Sequence, residues 1–140
     1  MAFRTEPAPD VASLVDHLVR HLDMAHIDTA RIFSVRSFGS TSECLARIWA
    51  LPAIWQDALA IRPHYIIEVV SQHYDGLPGE EKEKTLIHEL LHVPRTFSGA
   101  LRPHRSPHLK IDGRTVNRLH RQYRRSVDSS NLSLFDPGAR

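Results

Sequence analysis

Cysteine is nearly absent: Cys44 stands alone among 140 residues, which excludes an internal disulfide framework and any cysteine-based zinc cluster. Lysine is scarce too, three against fifteen arginines. Aromatic residues make up 7% of the chain. No run approaches the roughly 18 apolar residues that a membrane-spanning helix needs, so an integral membrane protein is not expected. The first ten residues, MAFRTEPAPD, lack the basic start and apolar stretch of a secretory signal, so a cytoplasmic location is the default expectation. Glutamate is missing altogether after Glu89. Histidine, by contrast, is abundant, with ten copies.

The formal net charge of +2 hides an asymmetry. Residues 1–94 carry 8 basic and 13 acidic side chains, a net of −5. Residues 95–125 carry 9 basic side chains and only Asp112 as an acid, a net of +8. Such a segment is either a solvated arginine-rich face or a surface for nucleic acid or another polyanion.

The length suits one domain, residues 1–140, of α+β class. Residues 1–9 contain two prolines and no apolar periodicity and read as a flexible lead. Val11, Leu14, Val15, Leu18, Val19 and Leu22 then recur at helical spacing behind Asp10, a plausible N-cap. His17 and His21 lie four apart on the flank of that helix, where surface residues are expected and metal binding is the alternative. Arg31–Ser37 and Glu43–Leu51 read as strands, joined through a Gly/Ser/Thr turn. Pro52 opens a short helix to about Ala60. His64–Val70 is dense in aromatic and β-branched residues and is the clearest strand.

After the Asp75–Gly79 turn, Glu80, Glu81 and Glu83 favour a helix start, and Pro94 ends that helix. Pro and Gly keep residues 95–110 loop-like. A last, arginine-rich helix is expected near Asp112–Ser126, with residues 127–140 frayed.

The chemistry concentrates in His88-Glu89-Leu90-Leu91-His92, an HExxH sequence on the predicted helix. Positions i and i+4 project from one helical face, so His88 and His92 can converge on one ion. Neutral imidazoles suit Zn2+, and a hydrolytic site commonly uses three protein ligands and keeps a place for water. Glu89, next to the first ligand, is then placed as general base towards that water. The third ligand must come from downstream. His104 is the first choice and His108 the alternative, with Asp112 or Asp128 as less favoured substitutes. A metzincin spacing is excluded, because Arg95 and Ser98 stand where that pattern needs glycine and histidine. The missing downstream glutamate excludes the gluzincin pattern.

Between Ala46 and His104 the segments ARIWALP, HYIIEVV, EEKEKTLIHELLHVP and TFSGALRPH resemble the phage-type metallopeptidase family, small zincin-like proteins of phages, archaea and bacteria. The resemblance implies a zincin-like architecture; with the helices read above, the expected fold is a mixed or antiparallel sheet packed on the N-terminal helix and the HExxH helix, followed by the arginine-rich helix. The resemblance also implies His88, His92 and His104 as zinc ligands, Glu89 as the catalytic residue, and a peptide or protein substrate.

In such folds the strand before the active helix borders the cleft, so His64–Val70 is the expected edge for an extended peptide. Arg102, Tyr65 and Tyr123 are the available donors for an oxyanion. The competing expectation is a nucleic-acid-associated protein. There the zinc site is a structural staple closed by a fourth ligand such as His108, and residues 95–125 contact phosphates. His26, His64, His73 and His120 have no partner at ligand spacing and are expected to be non-metal residues.

Overall fold

A computed structural model describes residues 2–107 and 109–135, with the side chains of 132–135 excepted. Its order is β1 (Arg4–Pro7), α1 (Pro9–His21), a single 3-10 turn (Thr29–Arg31), β2 (Ile32–Phe38), β3 (Ala46–Ala50), α2 (Ala53–Leu59), β4 (Tyr65–Val70), α3 (Ser71–Tyr74), α4 (Gly79–Leu91) and α5 (Gly113–Phe135). The class is α+β, and the sheet is mixed. Strand order is β1-β2-β4-β3, with β1 antiparallel to β2, β2 parallel to β4 and β3 antiparallel to β4.

Two-residue alternation gives the sheet its buried face. Tyr65, Ile67 and Val69 of β4 are fully buried, and their registered partners Ala50, Ile48 and Ala46 of β3 join the same core. α1 adds Val11, Val15 and Leu18, and α4 adds Leu86, Ile87, Leu90 and Leu91. α5 closes this core with Val116 and Tyr123, in the helical stripe its sequence shows. The opposite face of the sheet leaves Phe33, Trp49 and Ile66 about half exposed. On that face Glu68, 4% exposed, is held by Arg47 at 2.8 and 3.1 Å and by the Trp49 indole N–H at 2.9 Å.

Four expectations change. The strand before the active helix, expected at the cleft edge, lies inside the sheet between β2 and β3; the edge nearest α4 is β3. An apolar run such as YIIEVV left at an edge would template further pairing, so an interior place suits it, although Ile66 stays about half exposed on the outer face. Arg4–Pro7 is an edge strand paired with Val35–Phe38 rather than a free lead; Pro7 is tolerated there because edge strands have spare N–H positions. The arginine-rich helix runs to Phe135, well past Ser126, while 136–140 lie outside the described residues. α1 is capped by Ala8 with Pro9 in its first turn, and Asp10 instead forms a two-pronged ion pair with Arg36. Among the described residues no helix is long and apolar enough to cross a membrane.

Candidate metal centre

Helix α4 starts at Gly79 behind Pro78, with Glu80 and Glu81 in its first turn, where negative charge opposes the helix dipole. Its apolar residues fix its rotation: Leu86, Ile87 and Leu90 face the sheet and α1 with essentially no exposure. That leaves His88 at the cleft. His92 follows one turn on, as the C-cap residue that still holds helical geometry.

The third histidine arrives through a folded loop. Phe97 and Gly99 both adopt positive φ, 49° and 91°, which turns the chain back towards α4. The Phe97 ring packs edge-on against Tyr65 at 5.0 Å, and the Tyr65 hydroxyl donates to Ala100 O at 2.9 Å while accepting from the Gly99 N–H at 2.8 Å. Arg102 then meets His92 main chain to main chain, its N–H donating to His92 O at 2.7 Å. His104 is tied in turn to the core residue Ile111, whose N–H donates to His104 O at 2.8 Å.

The outcome is convergence. One ring nitrogen from each of His88, His92 and His104 lies within 4.8 Å of the other two. The Nε2 atoms of His88 and His104 are 3.2 Å apart. Two nitrogens at ordinary zinc–nitrogen lengths around a tetrahedral ion stand about 3.3 Å from one another, so this spacing fits the ion. The His92 Nδ1 lies 2.6 Å from Arg102 O. A carbonyl only accepts, so that nitrogen carries the proton and the Nε2 lone pair is left free for a metal. Burial first, then the neighbouring His92 and His104, holds His88 below its ordinary pKa, which favours the neutral, ligating ring.

Glu89 is 7% exposed, and its Oε2 is buried without a hydrogen-bond partner. Burial pushes its carboxyl up to about 7. A divalent cation held by the three histidines would supply the missing stabilisation and draw that value down. An orphaned buried carboxylate is costly unless something polar comes to meet it. Beside His88 and Glu89 opens a cavity of about 380 Å3, walled by Leu45, Ala46, Thr85 and Val116, with Glu81, Lys84 and Asn117 as its charged and polar groups.

His88, His92 and His104 are thus brought together. His108 lies outside the described residues. Asp112 caps α5 through the Thr115 N–H, and neither it nor Asp128 joins the three histidines. Of the oxyanion donors, Tyr65 spends its hydroxyl on the 99–100 loop and Tyr123 spends its on His17 at 2.7 Å. Arg102 lines a separate cavity, with Leu90 and Leu91.

Spacing could have found Lys84 and Thr85, which stand four and three residues before His88 on one helical face. The main-chain role of Arg102 left no trace in the sequence, because any residue supplies a carbonyl.

The family described as "Putative phage metallopeptidase" matches residues 3–131. The chain belongs to this family. Its membership and the three-histidine cluster together fit a metal-dependent hydrolase, and a peptidase acts on peptide or protein substrates. No curated protein and no solved structure matches the chain.

Proposed function

We propose that this chain is a zinc-dependent peptidase of zincin-like architecture, with His88, His92 and His104 as the metal ligands and Glu89 as the general base. The observation that carries the reading is the pairing of three convergent imidazoles with a buried, unpartnered carboxylate one residue from the first of them. Zinc bound there supplies Lewis acidity, polarising the scissile carbonyl and making water acidic enough to attack at neutral pH.

The protein's own groups do the rest. Arg102 O fixes the His92 ring by taking its Nδ1 proton in a hydrogen bond. Glu89 Oε2 takes the proton of the attacking water and passes it to the departing amine. The low exposure of Glu89 keeps competing solvent from it. A substrate in extended form adds alongside β3, the edge strand, whose Ala46 and the preceding Leu45 wall the cavity beside His88. That cavity accepts an apolar side chain against Leu45, Ala46 and Val116.

Three protein ligands would leave one tetrahedral position for water, as hydrolysis requires, whereas a fourth would close the site. The test is a pair of measurements on Glu89→Gln. It should retain one zinc per chain and lose peptide hydrolysis by at least ~100-fold. Wild-type chain that takes up no stoichiometric zinc, or a variant that cleaves as well as wild type, overturns the reading.

A further inference from the structure

A second cavity, of about 310 Å3, lies behind α4, where Leu90 and Leu91 form part of its wall. Arg95, Arg102 and Arg118 all line it, the first two from the loop that follows α4 and the third from α5. Among the described residues none of the three has a carboxylate within 4.0 Å. The one acid on the lining, Asp23, is exposed. His26 lines the same hollow with its Nδ1 buried and unpartnered. Burial, then the charges of Arg95 and Arg102, hold that ring below its ordinary pKa.

Three cations gathered on one polar hollow repel one another unless an anion or water relieves them. A guanidinium fork matches the oxygens of phosphate in pairs. Arg118 also belongs to a row on α5, in which Arg114, Arg118, Arg121 and Arg125 are all exposed. Their 4-3-4 spacing holds them within an arc of about 60°, turned away from the buried Val116 and Tyr123. From Arg118 to Arg125 the helix advances about 10 Å, room for more than a single phosphate. A free phosphate needs only the hollow, whereas a hollow that shares Arg118 with a row of arginines suits a repeating polyanion.

We propose that this face docks the phosphodiester backbone of a nucleic acid, with one phosphate seated among Arg95, Arg102 and Arg118 and the neighbouring ones on Arg121 and Arg125. The claim does not rest on the peptidase reading, since the lining of this hollow shares no residue with the cavity beside His88 and Glu89.

The experiment measures fluorescence anisotropy of a labelled 20-nucleotide single-stranded DNA titrated with the zinc-loaded full chain at several salt concentrations. Binding should weaken steadily as salt rises. Arg95→Glu with Arg118→Glu should raise Kd at least 10-fold. Arg20→Glu with Arg62→Glu, the same charge change on exposed arginines elsewhere, should raise it less than about 3-fold. Arg118→Gln, the milder change, should flatten the slope of log K against log salt by about 0.7. Equal losses in the two double variants would show attraction by net charge alone and overturn the proposal. So would displacement of the DNA by poly-glutamate at lower concentration than by unlabelled DNA, or stabilisation by inorganic phosphate with no DNA binding.

Discussion

Arg102 and His92 are joined by two hydrogen bonds, the Arg102 N–H to His92 O at 2.7 Å and the His92 ring Nδ1 to Arg102 O at 2.6 Å. One residue thereby holds both the backbone and the ring of a candidate ligand. Both contacts use the main chain of Arg102, so its side chain is free to point into the cavity behind α4. Arg102→Ala should therefore keep zinc affinity within about 3-fold of wild type, by competition with a chromophoric chelator. Loss of a supporting hydrogen bond to a ligand costs ~10–100-fold. A loss of that size in Arg102→Ala would assign the support to the guanidinium instead.

Tyr65→Phe removes a hydroxyl that donates to Ala100 O and accepts from the Gly99 N–H. Two loop groups lose their partner, which should cost about 1–3 kcal/mol of stability in urea unfolding. Because this loop delivers His104, zinc affinity should fall as well. Unchanged stability with impaired hydrolysis would instead mark Tyr65 as a group acting on the substrate.

Gly99→Ala is expected to be harsher than its single methyl suggests. At φ +91° a Cβ is strained, and it would stand 2.4 Å from Gln56 Nε2, which is itself bound to Leu51 O at 2.9 Å. A loss of about 1–3 kcal/mol should appear in thermal or urea unfolding. A variant as stable as wild type would contradict the packing of this loop on α2.

The positions of most elements along the chain were legible in the sequence: helical spacing wrote α1, an acidic start and a closing Pro94 bounded α4, and β-branched density wrote β4. The HExxH pair was legible for the same reason, since a helical turn brings i and i+4 together. His104 could be named from the residues but not placed, because its position depends on left-handed Phe97 and Gly99, on the Tyr65 hydroxyl and on the Ile111 N–H. Strand order was not legible. Nothing local in HYIIEVV says that β3 returns outside it, which is why the expected edge strand proved internal. Arg4–Pro7 was hidden similarly: its four residues are all exposed, so pairing with β2 rather than burial makes it a strand.

Glu68 sets an acid limb of stability. Burial opposes its charge, but hydrogen bonds from Arg47, Ser37 and Trp49 outweigh that and hold its carboxyl below the usual range. A lowered folded pKa means a contribution fully present above the unfolded value and lost as pH falls through the folded one. Glu68→Gln should cost about 1–3 kcal/mol at neutral pH, moderated because Arg47 is partly solvent-exposed. The cost should shrink towards pH 3 in urea unfolding. A penalty that stays constant from pH 7 to pH 3 would show that the charge of Glu68 does not contribute.

The most direct test of the account is X-ray absorption at the zinc edge on the full chain loaded with one equivalent of zinc. The expected spectrum contains three imidazole nitrogens at about 2.0–2.1 Å and one oxygen, with one nitrogen lost in His104→Ala. Four protein nitrogens with no oxygen, or a spectrum unaltered by His104→Ala, would contradict it.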